Sequence, residues 1–199
     1  MVTDLTGGWT DSHLTDLGRR QARSTAVKLK GELRGRNCTI LCSDLSRARE
    51  TAEIIGSELE VKPIPHGELR ELNNGIAAGL TAEQAKPHFR GPTHPHLDWQ
   101  PYPGAETWRM FHNRVAGFMD ELELDGDEPV IIVAHGGTII TAINWWLGLD
   151  IETIENVTYK TSPAGITVLD TSTFEEHRLR RLNDASHLVN EGLLEEKVL

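Results

Sequence analysis

Two periodicities alternate along the chain. After Thr15, a good helix N-cap, Ala22, Ala26, Leu29 and Leu33 recur at steps of four, three and four, which is one helical face, and Gly35 supplies a stop. NCTILCS is a short apolar run rich in β-formers and predicts a buried strand over Thr39–Cys42. A second helix from about Leu45 carries Ala48, Ala52, Ile55 and Leu59 on one side, with Ser43 and Asp44 placed to cap it. VKPIP predicts a short strand that its prolines confine to an edge. Trp108, Phe111, Val115, Phe118 and Leu122 step three, four, three, four and predict a core-facing helix. PVIIVAH reads as a fully buried strand, GTIITAINWWLG as the helix packed after it, with Trp145 and Trp146 in the core or, as the second choice, a pocket wall. GITVLD and EEHRLRRLN then form a closing pair of strands joined by a tight turn.

Strands alternating with helices imply an α/β fold, three layers α/β/α around a mainly parallel sheet. No repeat or internal boundary interrupts it, so residues 1–199 are expected to form one domain. The segment from Lys86 to Gly104 is rich in proline and polar residues and predicts a long surface excursion of the kind that serves as a lid; residues 191–199 read as a tail or a short terminal helix.

Composition narrows the function classes. Apolar residues make up 38% and charged residues 25%, an ordinary globular balance, and no apolar run is long enough to span a bilayer. The start MVTDLTGGWTD lacks the features of a secretory signal, so the cytoplasm is the expected compartment. Cys38 and Cys42 share one strand without a metal-type spacing and read as buried thiols. A formal net charge of -10 argues against a nucleic-acid partner; an anionic ligand would need a local cluster of cations.

Reactive groups in open α/β sheets collect at the carboxyl ends of strands. His135 stands there, followed by Gly136 and Gly137, which let backbone approach a ligand at a helix N-terminus. Arg47 falls in the first turn after the strand Thr39–Cys42, where its charge joins the helix dipole. Glu71 precedes Asn73, Asn74 and Gly75, turn-forming types that can project a carboxylate into a cleft for proton transfer. Each signal alone also suits a core histidine, a solvated helix face or a loop acid. His88, His94 and His96 sit in the proline-rich stretch without the geometry of a metal site, and no metal is expected.

The ordered motifs GGWTDSHLTDLGRRQA, SDLSRARETA, ELRELNNGIAAGLT, PGAET and VIIVAHGGTI resemble the histidine phosphatase superfamily, the phosphoglycerate mutase-like proteins, over nearly the whole chain. The resemblance implies phosphate-monoester hydrolysis through a phosphohistidine, without a cofactor, on a small phosphorylated substrate. It implies that Arg47 binds phosphate, that Glu71 donates the proton, and that His135 is the second histidine, holding phosphoryl oxygens rather than attacking. Gly7, Gly8 and Gly136 would belong to the substrate loops, with Glu106 near the pocket.

One departure matters. In such enzymes the attacking histidine follows an arginine in an Arg-His-Gly type motif on the first strand, which lies beside strands equivalent to Thr39–Cys42 and Val130–Ala134. No Arg-His pair occurs in the 199 residues, and His13 falls inside the downstream loop motif. The expectation is therefore a fold lacking that first strand and a pocket lacking its nucleophile. Three readings follow: a phosphatase completed by an upstream strand, a non-catalytic phosphate-binding or scaffold protein, and, ranked lower for a chain of this length, a phosphoglycerate mutase-type phosphotransferase.

Overall fold

The computed structural model describes residues 4–122, 124 and 128–194. Helix α1 (Asp16–Leu33) starts where Thr15 accepts from the Gly18 N–H and ends at Arg34, which adopts a left-handed φ of 51° ahead of Gly35. Strand β1 (Thr39–Ser43), helix α2 (Ser46–Leu59) and the short strand β2 (Ile64–His66) follow. After α3 (Ala82–Ala85) come α4 (Trp108–Asp120), β3 (Val130–Val133) and α5 (Gly136–Trp146). The hairpin β4 (Ile166–Thr171) and β5 (His177–Asp184) precedes α6 (Ser186–Asn190).

The three central strands are parallel in the order β2-β1-β3, with Leu41 opposite Ile64 on one side and Ile132 on the other. The prolines of β2 thus sit at an edge, as expected. Alternation divides the sheet between two cores. Ile40, Cys42, Ile131 and Val133 face Ala26, Leu33, Ala52 and Ile55 of α1 and α2. Leu41, Val130, Ile132 and Ala134 face Phe111, Val115 and Phe118 of α4, together with Ala142 and Trp145 of α5. This is the three-layer α/β/α arrangement. Both cysteines are buried, and burial pushes the Cys42 thiol up to about 11, which keeps it inert.

Several expectations need correction. The strand at Val130 was expected to be fully buried, yet each of its four residues is only partly so. Its far edge has no strand partner among the described residues and borders a cavity of about 1870 Å³. The same cavity is lined by Ile166–Thr171 of β4, by Leu29 and Leu33 of α1, and by Ile139 and Ile143 of α5. The β4-β5 hairpin is antiparallel and forms its own two-stranded sheet. Ser43 and Asp44 do not cap α2 as expected. Its N-cap is Leu45, and the Ser46 N–H and hydroxyl donate to Asp11 from the preceding loop, at 2.8 Å each.

The excursion from Lys86 to Gly104 is exposed but closed on itself. Phe89 packs edge-on against Trp99 and Tyr102, Trp99 Nε1 donates to the Arg90 carbonyl, and Leu97 is buried. Of the expected tail, residues 195–199 lie outside the described residues. Leu193 is no loose end: it is buried, and its carbonyl accepts from Gln21 Nε2 at 2.9 Å. No described helix is long and apolar enough to cross a membrane.

Candidate functional site

Parallel strands deliver their carboxyl ends to one rim of the sheet, and there β1 leads into α2 and β3 into α5. His135 is the N-cap of α5, extended at φ -116°, so its side chain stands at the strand end while the first N–H groups of the helix open beside it. It is buried, and Nε2 lies 2.9 Å from Ser43 Oγ at the end of β1. Burial, followed by the positive charges of Arg47 and Arg114, pushes the imidazole down to about 3. At neutral pH it is an uncharged ring that can offer a hydrogen bond but not a permanent charge.

Arg47 enters from the first turn of α2. Its NH1 and NH2 donate to the carbonyls of Thr10 and Gly8, both at 2.9 Å. A guanidinium has five N–H donors, so these bonds leave others for a ligand. Burial lowers its pKa, opposed by the nearby charges of Glu71 and Asp11. The loop it grips lies along the segment after Glu71: Trp9 N–H donates to Asn74 Oδ1 and Thr6 N–H to the Leu80 carbonyl. Gly8 has φ 61°, and a Cβ there would lie 2.7 Å from the Leu72 carbonyl oxygen, so only glycine fits.

Glu71 closes the group. Its Oε1 accepts from the Leu72 N–H at 2.8 Å and its Oε2 from the Gly137 N–H at 3.2 Å, which ties the carboxylate to the start of α5. A Cβ on Gly137 would run into Glu71 Oε1 and come within 3.1 Å of the Phe111 ring. Arg47, Glu71, His135, Gly136, Gly7 and Gly8 all line the cavity that runs along β3, at the end where the strand finishes. Three separated segments thus bring a cation, an acid and a neutral imidazole to one helix N-terminus. Such a set suits a tetrahedral anion and proton transfer to its leaving group.

Glu106 does not join them. It pairs with Arg114 through two bonds of 2.7 Å and accepts from the Asn73 N–H, behind the Glu71 segment. Ser43, Arg114 and Trp9 are residues that sequence reading did not select. Ser43 carried a signal, a polar side chain ending an apolar strand, but read as a cap. His94 and His96 stack on one another at 4.4 Å, and among the described residues no group of three or more His, Cys, Asp or Glu side chains could hold a metal ion.

Comparison with known proteins bears on this geometry. The sequence profile of the histidine phosphatase superfamily (branch 1) matches residues 2–185, and the chain belongs to that superfamily. It is 30% identical over 170 residues to a putative phosphoserine phosphatase 2 of Hydrogenobacter thermophilus, covering 80% of this chain and 78% of that one. It is 32% identical over 149 residues to a 2,3-bisphosphoglycerate-dependent phosphoglycerate mutase of Parvibaculum lavamentivorans, covering 68% of this chain and 69% of the mutase. Among solved structures, a mycobacterial glucosyl-3-phosphoglycerate phosphatase in complex with inorganic phosphate superposes with a TM-score of 0.73 at 28% identity, over 93% of this chain and 94% of that one.

Proposed function

We propose that the chain is the scaffold of a phosphomonoester phosphatase that works through a phosphohistidine, with Arg47 and His135 holding the phosphoryl oxygens and Glu71 serving the leaving group. The observation that carries this reading is the meeting of these three side chains at the start of α5: His135 caps it, Glu71 bonds the Gly137 N–H, and the Arg47 charge acts on both. Phosphoryl transfer spreads charge over the equatorial oxygens, so fixed donors and one guanidinium supply most of the stabilisation. Glu71 would protonate the departing alkoxide and then deprotonate water attacking the phosphohistidine.

In the proposed reading His135, bonded to Ser43, is the supporting histidine, and the attacking histidine is a separate one. The cavity between β3 and β4 offers a place for it. An extended segment running parallel to β3 would find an unpaired strand edge along its length, and its carboxyl end would meet Arg47 and His135. The lack of an Arg-His pair in the 199 residues favours one second reading, a phosphate-binding protein without turnover.

The test uses two forms: the 199-residue chain, and the same chain with a strand ending in Arg-His-Gly fused ahead of it. The first should bind inorganic phosphate in an Arg47-dependent way and hydrolyse p-nitrophenyl phosphate negligibly. The second should hydrolyse it and accumulate acid-labile phosphohistidine. Robust Arg47-dependent turnover by the first form would sink the separate nucleophile. Binding without turnover by the second would favour the non-catalytic reading.

A further inference from the structure

We infer that Trp9 and Arg114 are positioning residues for Glu71, acting on its backbone so that its carboxylate meets the N-terminus of α5. This rests on the reading of Glu71 as the acid of the site. The Glu71 carbonyl accepts two hydrogen bonds, from Trp9 Nε1 at 2.7 Å and from Arg114 NH2 at 3.2 Å. Arg114 NH1 also reaches the carbonyls of Glu68 at 2.6 Å and Arg70 at 3.2 Å. One guanidinium from α4 therefore pins three carbonyls of a segment that contains no regular strand or helix at Glu71 itself.

Such a fork holds its direction only if its own orientation is fixed. Glu106 fixes it: both carboxylate oxygens bond Arg114 in the bidentate manner, and the pair is largely buried, with side-chain exposures of 19% and 12%. Glu106 is thereby a support acting through Arg114. Trp9 is braced in turn by the Arg70 guanidinium, 4.7 Å from its ring centre, and by that of Arg114 at 5.9 Å, and Arg70 is itself paired with Asp44. The Glu71 carboxylate is held by other groups: the Leu72 N–H at 2.8 Å and the Gly137 N–H of α5 at 3.2 Å, with the Arg47 charge nearby. Carbonyl and carboxylate thus have separate partners, and those of the carbonyl are Trp9 and Arg114.

The amide of Gly137 reports on this arrangement, because it donates to Glu71 Oε2. In the 199-residue chain Glu71→Gln, which removes the charged acceptor this amide donates to, should move its proton resonance upfield at constant pH. Trp9→Phe keeps the ring and removes the N–H; Arg114→Lys keeps the charge and removes the fork. Each should move the Gly137 amide resonance in the same direction by at least about half as much, while the rest of the spectrum stays dispersed. In the strand-completed form, Trp9→Phe should lower kcat about tenfold for poor leaving groups, with KM within about twofold. An unmoved Gly137 resonance in both variants, or in Glu71→Gln, overturns the inference. An inactive completed form with the NMR result intact overturns the phosphatase reading instead.

Discussion

Ser43 Oγ and His135 Nε2 lie 2.9 Å apart and join the carboxyl ends of two neighbouring parallel strands. The bond fixes which way the imidazole turns, and with it which ring nitrogen is left to meet a ligand. Ser43→Ala removes a net hydrogen bond of about 1 kcal/mol and should weaken inorganic phosphate binding roughly fivefold, as measured by calorimetry. Unchanged affinity would mean that packing alone orients the ring.

Arg47 is the cation nearest the proposed anion position. Hydrogen bonds to a charged partner contribute about 1.5–3 kcal/mol, so Arg47→Ala should weaken phosphate or vanadate binding roughly tenfold to a hundredfold. In the strand-completed form the same change should slow turnover, and His135→Ala should nearly abolish it. Wild-type behaviour of both would show that the anion binds elsewhere.

Glu71→Gln preserves shape and hydrogen-bond acceptance at one oxygen while removing the proton donor. In the completed form its rate loss should grow as the leaving alcohol becomes more basic, from a few-fold with nitrophenyl esters to roughly a hundredfold with alkyl esters. A loss of equal size across the series would assign the proton to another group.

Gly137 sits where a methyl group has no room, between Glu71 Oε1 and the Phe111 ring. Gly137→Ala should cost about 1–3 kcal/mol in denaturant unfolding and displace the carboxylate. Gly117 has nothing within 4 Å of the corresponding Cβ position, so Gly117→Ala is the control and should not destabilise.

His135 also makes stability depend on pH. Its folded pKa, about 3, is below the ordinary value of 6.5, so between these limits the unfolded chain binds more protons than the folded one. Stability should rise with pH across that window and be lost as pH falls through it. At about 1.4 kcal/mol per unit the loss reaches roughly 5 kcal/mol as an upper figure. His112 and His187, held low chiefly by burial, and Asp44, held low by its bond to Arg70, add slopes of the same sign. The difference between wild type and His135→Asn in chemical denaturation at about pH 4 and about pH 7 isolates the His135 share.

The layers were legible because each depends on a local rhythm. The Phe111, Val115, Phe118 stripe, the apolar run in Thr39–Cys42 and the cap at Thr15 are each marked within one element. Arg47, Glu71 and His135 were legible through strand ends, turn residues and their motifs. The supporting contacts were not. Asp11 caps a helix that starts thirty-five residues later, and Arg114 holds carbonyls more than forty residues before it. Neither partner is marked by spacing, because a guanidinium or carboxylate on a helix face looks the same whether it meets solvent or a carbonyl. Burial of β3 was misjudged for a related reason: an apolar run records what a strand is suited to face, while its actual burial depends on who lies alongside.

In the proposed reading the grip of Arg47 on the carbonyls of Gly8 and Thr10 gives one cation two employments, fastening the segment ahead of α1 and greeting the anion. Occupancy of the pocket and order in that segment are then thermodynamically linked, since whatever steadies the guanidinium steadies both. Trp9 lies between the two fastened carbonyls, so under that reading adding phosphate should change the emission of its indole, an optical gauge built into the chain.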